Sequence, residues 1–328
     1  MLHPNLFFLF EILGFVSFSV IFVREILQRN KSRVFEIIGC AVFGMLLEIG
    51  NTFLAHTYVY SDKFLINVAH VPVAIGLGWA VIVYCAMLLS DQYNIPWALR
   101  PLLDALTAIV LDLAMDAVAI RLGFWKWAIP LDQEWYGVPF ENLVGWILVV
   151  LSFSYLVRWI RTLDPKRALT KTLMIATPVL AYLGLMIGMI VYSVIVILPY
   201  QINNWTVLIL PGNRPDFSIL YNPHVQLWKL IVLVVILVEL VNIAVVAMVK
   251  YRHKYLHRFD LLSYILLSGM HLFFFAALFV TGIYRDMPIL AVISFVSFLI
   301  HCLLHFLPYA LHPGLIFFFK RITGKFLI

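Results

Sequence analysis

Nine stretches of this chain are apolar over roughly the 20 residues that one bilayer crossing needs. They run over about 5–23, 34–54, 69–90, 101–121, 138–160, 172–198, 226–249, 261–283 and 287–312. Proline stands at the start or edge of several (Pro4, Pro72, Pro101, Pro139, Pro288), where its missing N–H costs least. Of the 328 residues, 63% are hydrophobic and 12% charged, and the mean hydropathy is +0.99. No soluble core needs that much apolar side chain. The expected fold is all-α: a polytopic integral membrane bundle of nine transmembrane helices, set in the cell membrane. Cys40, Cys85 and Cys302 all fall inside apolar runs, so they form no disulfide framework. The first apolar run lacks a basic start and a small-residue cleavage site, so no cleavable signal peptide is expected.

Charge sets the expected orientation. With the N-terminus outside, 17 of the 23 Lys and Arg fall on inner loops and the C-terminal end, and 6 fall outside. The inner clusters lie within 24–33, 158–171, 250–258 and 320–325. The bias alternates loop by loop, which agrees with an odd number of spans and an inner C-terminus. The net charge of +6 is therefore a property of inner loops, and no nucleic-acid partner follows from it. The most basic linker, RWIRTLDPKRALTK, separates helices 1–5 (residues 1–160) from helices 6–9 (residues 172–328), with residues 161–171 as the boundary. No internal repeat relates the two halves.

Two outer loops are distinctive. Residues 121–137 read RLGFWKWAIPLDQEWYG, which fits an aromatic belt at the interface or a platform at the mouth of a lipid-substrate site. Residues 199–225 fit a re-entrant segment, a short interfacial helix or a plain loop.

The polar residues inside the spans point to chemistry. Asp112 and Asp116 lie at i,i+4 within PLLDALTAIVLDLAMDAVAI and share a helix face. An Asp at the bilayer centre is penalised by roughly 3 kcal/mol. In the frame set by the charges, Glu48 and Asn51, Asp112 and Asp116, Glu141 and Asn142, Trp146, Glu11 and His70 come from five helices yet share one membrane level. They predict a single polar pocket opening toward the outer leaflet. A deeper set comprises Glu239, Asn242, His271, His301 and His305. Metal ligation and hydrogen bonding between helices are both open to these histidines. There is no HExxH and no clustered carboxylate beside them, so no metal is expected. A second Asp-rich motif, a P-loop, a nucleophile elbow, a Gly-rich nucleotide loop and multiple His boxes are all missing from the sequence. What remains is an acid/base pocket in lipid or a transport pathway.

Several motifs occur in a fixed order. Glu48-Ile-Gly50-Asn51-Thr52 is followed by Tyr58-Val-Tyr60, Val71-Pro72 and Trp79. Then come Asp112-Leu-Ala-Met-Asp116, Gly123-Phe-Trp125-Lys-Trp127, Trp135-Tyr136-Gly137-Val138-Pro139 and Asn142-Leu-Val-Gly145-Trp146. Over about residues 34–160 this order resembles the membrane carotenoid-biosynthesis protein family. That family includes carotenoid hydratases of the bacterioruberin and cyanobacterial glycosylated-carotenoid pathways. The chain resembles a divergent member: Ala117 stands where the family usually has Pro.

The resemblance implies hydration of the terminal double bond of an acyclic carotenoid end, with a carotenoid or other isoprenoid lipid as substrate, membrane lipids as surroundings and no cofactor. It implies Asp112 and Asp116 as the acid/base pair and Glu48 as a reserve proton donor or water-orienting group. Asn142 would position water, and Trp125, Trp127 and Trp146 would contact the polyene end. Asn51, Tyr58, Tyr60, Trp79 and Glu141 complete the expected substrate- and water-binding set. The alternative is a transporter or flippase for a lipid or small apolar substrate, since carriers also keep intramembrane acids. The charge distribution yields one direct test: a reporter fused after Ile328 should read as cytoplasmic. An extracytoplasmic signal would overturn the orientation.

Overall fold

The structure, a computed structural model, describes residues 4–55, 57–93, 95–201, 223–251 and 259–310. Ten helices account for most of them. They are α1 (Pro4–Leu27), α2 (Lys31–Ile49), α3 (Val73–Gln92), α4 (Arg100–Leu122) and α5 (Phe140–Arg161), then α6 (Ala168–Gln201), α7 (Pro223–Tyr251), α8 (Leu261–Thr281), the single turn α9 (Ile283–Asp286) and α10 (Pro288–Ala310). Eight of these are long and apolar enough to cross a membrane. The ninth expected crossing, α4, is 23 residues long but carries too many charges to qualify on composition. It is nonetheless the most enclosed helix. It packs against α3, α5, α7, α8 and α10, and Ala105, Ala108, Ala114, Ala117 and Ala119 are all buried on it. Small residues let neighbouring backbones approach closely without help from the hydrophobic effect.

The helix ends follow local chemistry. The Asn30 side chain accepts from the Arg33 N–H to cap α2, and Asp260 does the same for α8 through Ser263. Pro101 opens α4, and Gly123 closes it with φ 74°, a left-handed turn that favours glycine. The third span begins at Val73, not 69, because β2 (Asn67–Val68) and β3 (Val71–Pro72) form a short antiparallel hairpin first. Most of the loop expected at 199–225 lies outside the described residues. Its ends belong to α6, which continues to Gln201, and to α7, which starts at Pro223.

The two ends of the bundle differ. At one end α2 finishes in a π-helical turn (Gly50–Ala55). Strand β1 (Tyr58–Tyr60) then pairs antiparallel with β4 (Trp125–Trp127), placing Tyr58 opposite Trp127 and Tyr60 opposite Trp125. The two-residue period turns all four aromatic rings to one side. Lys126 between them is exposed. Gly44 lets α2 close on α3: a Cβ there would sit 2.7 Å from Trp79 Cβ.

At the other end Asp91 of α3 accepts from Arg33 (2.9 Å), Arg100 (3.0 Å), Arg161 (3.3 Å) and Arg158. Arg158 also reaches Asp104 of α4 at 2.9 Å, and Arg161 holds Glu36 at 2.6 Å. Ser90 and Ser154 both donate to Asp104. This network ties α2, α3, α4 and α5 at the end where the charge distribution expects the cytoplasm. Arg158 is buried, and among the described residues it is the one cation that pairs with Asp104. Arg158→Leu should therefore destabilise the protein by about 3–5 kcal/mol. Thermal unfolding in detergent measures this, and a change under about 1 kcal/mol would show that the acids are satisfied without it.

Candidate functional site

The aromatic strands roof a cavity of about 660 Å³ between the helices. Most of its wall is apolar. Leu47, Ile75, Ile82 and Val149 line it together with Met115, Met186, Met189 and Met270. Its polar groups come from the end of α2 and the turn after it, from β1, α3, the latter part of α4, β4, the loop before α5, the start of α5 and the start of α7. Glu48, Asn51, Tyr58, Tyr60, Trp79, Asp116, Trp125, Trp127, Glu141, Asn142 and Trp146 all line it. Of the expected catalytic and substrate- or water-binding residues only Asp112 does not line it, and Glu11 and His70, expected at the same level, do not either.

Glu48 is held by three donors. Trp79 Nε1 donates to Oε1 at 2.7 Å, while the Tyr60 hydroxyl, at 2.6 Å, and the Tyr58 hydroxyl donate to Oε2. Asn51 Nδ2 in turn donates to the Tyr58 oxygen at 3.3 Å. Burial, and then the neighbouring Glu48 charge, push both phenols well above their ordinary range, so they stay O–H donors. A carboxyl receiving three hydrogen bonds is arranged as an acceptor. Beside it the Trp79 and Trp146 rings lie 4.2 Å apart, centroid to centroid. Tyr58 meets Trp127 edge-on at 4.5 Å. Trp127 Nε1 is buried with no acceptor among the described residues.

Asp116 Oδ2 accepts from Asn142 Nδ2, which joins α4 to α5. Asp112, one turn back on the same face, is completely buried. No donor reaches either of its oxygens among the described residues. Its neighbour is the Asp116 carboxyl, and two such groups can hydrogen-bond only by sharing a proton. The i,i+4 spacing placed both acids on one face, but the cavity ends at Met115 and Asp116. Asp112 therefore reaches it only through Asp116.

A second charged group lines the same cavity. Lys229 of α7 lies between Glu141 and Glu134, at 3.3 Å from the latter. Glu134 Oε2 also accepts the Phe140 N–H at 2.6 Å, at the start of α5. Burial pushes the Glu134 carboxyl above its usual value, and the Phe140 N–H and Lys229 partly offset this. Neither Glu134 nor Lys229 stood out in the sequence. Lys229 reads there as an ordinary outer-side charge, and only the packing of α7 buries it.

The other expected members lie elsewhere. Glu11 accepts the N–H groups of Leu65 and Ile66 at 2.9 and 3.1 Å, away from the cavity. His70 is exposed at φ 59°. The deeper set divides in two. Glu239 and Asn242 are exposed on α7. His271, His301 and His305 do cluster between α8 and α10, with ring centroids 4.9 and 4.4 Å apart. Ser268 bonds His301 at 3.0 Å, and His305 bonds the His301 carbonyl at 3.1 Å. No three His, Cys, Asp or Glu side chains among the described residues are arranged to hold a metal.

Comparison with known proteins gives two matches. The family described as "Carotenoid biosynthesis protein" matches residues 6–210, well over half of the chain. Bisanhydrobacterioruberin hydratase of Haloarcula japonica is 38% identical over 53 residues, which is 15% of this chain and 17% of that protein. The match thus spans less than a fifth of the relative's length. No solved structure matches.

The cage around Glu48 is open to direct measurement. Tyr60→Phe removes one donor and leaves a buried acceptor short, which should destabilise the protein by about 1–3 kcal/mol. Unfolding in detergent reads this, and an unchanged stability would mean that Glu48 is not held by the strand.

Proposed function

The chain belongs to the carotenoid biosynthesis protein family, and from that premise we propose that it adds water to the terminal double bond of an acyclic carotenoid end, within the cell membrane. One observation carries this reading. A carboxyl fixed by three donors, one of them the Trp79 N–H, shares an apolar cavity with the Trp79–Trp146 ring pair and with a second carboxyl, Asp116, held by Asn142. The first arrangement suits a developing cation and the second a proton transfer.

The steps balance without a redox partner or cofactor. Asp116, in its neutral form, donates its proton to the less substituted alkene carbon. The π electrons form the new C–H bond, and a tertiary carbocation is left at the dimethyl-bearing carbon. The Glu48 carboxylate and the faces of Trp79 and Trp146 stabilise that charge. Water then attacks the cation, a C–O bond forms, and the excess proton passes to the Asp116 carboxylate, which restores the acid. Asn142 holds Asp116, and the unused Trp127 N–H is available to the water or to the product hydroxyl. Asp112 is a positioning residue in this scheme, because it touches Asp116 and not the substrate. The methionine-rich wall adapts to an apolar end group because the thioether chain is unbranched and flexible.

General acid catalysis contributes about 10²–10⁴ in rate. In a host that supplies acyclic carotenoids, Asp116→Asn should therefore lower the hydrated pigment, one water heavier than its precursor, at least about a hundredfold by mass profiling. Glu48→Gln should also lose it, whereas Asp112→Asn should keep part. Near wild-type yield from Asp116→Asn would overturn the proton-donor assignment. A wild-type protein that adds water to no acyclic carotenoid would overturn the hydration reading and point to another reaction of the same biosynthesis.

A further inference from the structure

The outward face of α7 carries an anomaly. The apolar span of this helix runs over Gln226–Lys250, and Glu239 lies 13 residues from one end and 11 from the other. At 1.5 Å per residue that is about 20 Å and about 17 Å, so Glu239 sits at the middle of the hydrocarbon. Its side chain is exposed, as is that of Asn242 one turn on. Neither makes a hydrogen bond or ion pair among the described residues. Around them the exposed surface is a stripe of valines: Val235 is 55% exposed, Val238 58%, Val245 50% and Val246 54%. A carboxyl and an amide facing lipid at that depth are both penalised, and hydrocarbon offers them no partner.

Donor and acceptor complementarity says what covers this face. Asn242 supplies an N–H donor and Glu239 an acceptor, and their i,i+3 spacing puts them on one side of the helix. A face that carries both is its own complement. Under twofold symmetry residue i meets residue j while j meets i, so each Asn242 can donate to the Glu239 of the other copy. The valine stripe, without long or branched polar chains, lets the two helices approach around that pair. A partner offering only apolar residues would leave both groups unsatisfied.

We propose that the occupant is a second copy of this chain: the protein self-associates through α7, with reciprocal Asn242–Glu239 hydrogen bonds at the membrane centre. This inference is independent of the reaction proposed above. The test uses the full chain, dye-labelled and reconstituted into liposomes over a range of protein-to-lipid ratios, with photobleaching steps counted per particle. The wild type should pass from one-step to two-step particles as density rises. The double substitution of Glu239→Leu and Asn242→Leu should need at least about tenfold higher density, the factor that 1.4 kcal/mol represents. Glu239→Gln, which keeps an amide acceptor, should stay near wild type. A wild type that remains one-step at every density overturns the proposal without reference to any variant, and so does a double variant that pairs as the wild type does.

Discussion

Three carboxylates run through the middle of this bundle on α4, and the arrangement around them depends on how each is satisfied. Lipid supplies neither water nor counter-ion, so a buried acid must find its partners within the protein. Asp104 finds Arg158 and two serines. Asp116 finds Asn142. Among the described residues Asp112 finds only the Asp116 carboxyl. The first solution binds α3, α4 and α5 at one end of the bundle. The other two leave a pair of adjacent carboxyls beside a cavity. One helix thus serves as a structural anchor at one end and as a candidate reaction site nearer the other.

That division explains why the ends of the molecule look so different. The arginine-rich end is dense with paired charges, and removing one partner there strands the others. The opposite end uses short strands. Two pairs of strand residues bring Tyr58, Tyr60, Trp125 and Trp127 over the cavity. The tyrosines spend their hydroxyls on Glu48, whereas Trp127 keeps its N–H unspent. Across the cavity Lys229 draws Glu134 and Glu141 to α7. The half of the chain beyond the basic linker therefore contributes walls to the same site: Leu185, Met186 and Met189 from α6, Lys229 from α7 and Met270 from α8.

The membrane helices were legible in the sequence because each stretch must satisfy its own backbone in lipid, and only length and apolar character are needed to see that. Most of the polar pocket was legible for a related reason: Glu48, Asn51, Asp116, Glu141 and Asn142 are conspicuous in apolar surroundings and share one level along their helices. Spacing alone also established that Asp112 and Asp116 share a face. Periodicity reports which side of a helix a residue is on and how deep it lies, and it reports nothing about what the neighbouring helix places there.

Only the tertiary structure decided the rest. It left Asp112, one turn from Asp116, buried among neighbouring helices and outside the cavity lining. It turned Glu48 into an acceptor for three donors, two of which arrive on a strand paired with residues almost seventy positions away. It removed Glu11 and His70 from the site, left Glu239 exposed on α7, and buried Lys229 between two acids. Each of these depends on contacts between segments distant in sequence. A residue's depth is encoded locally, whereas its partner is set by which helices meet.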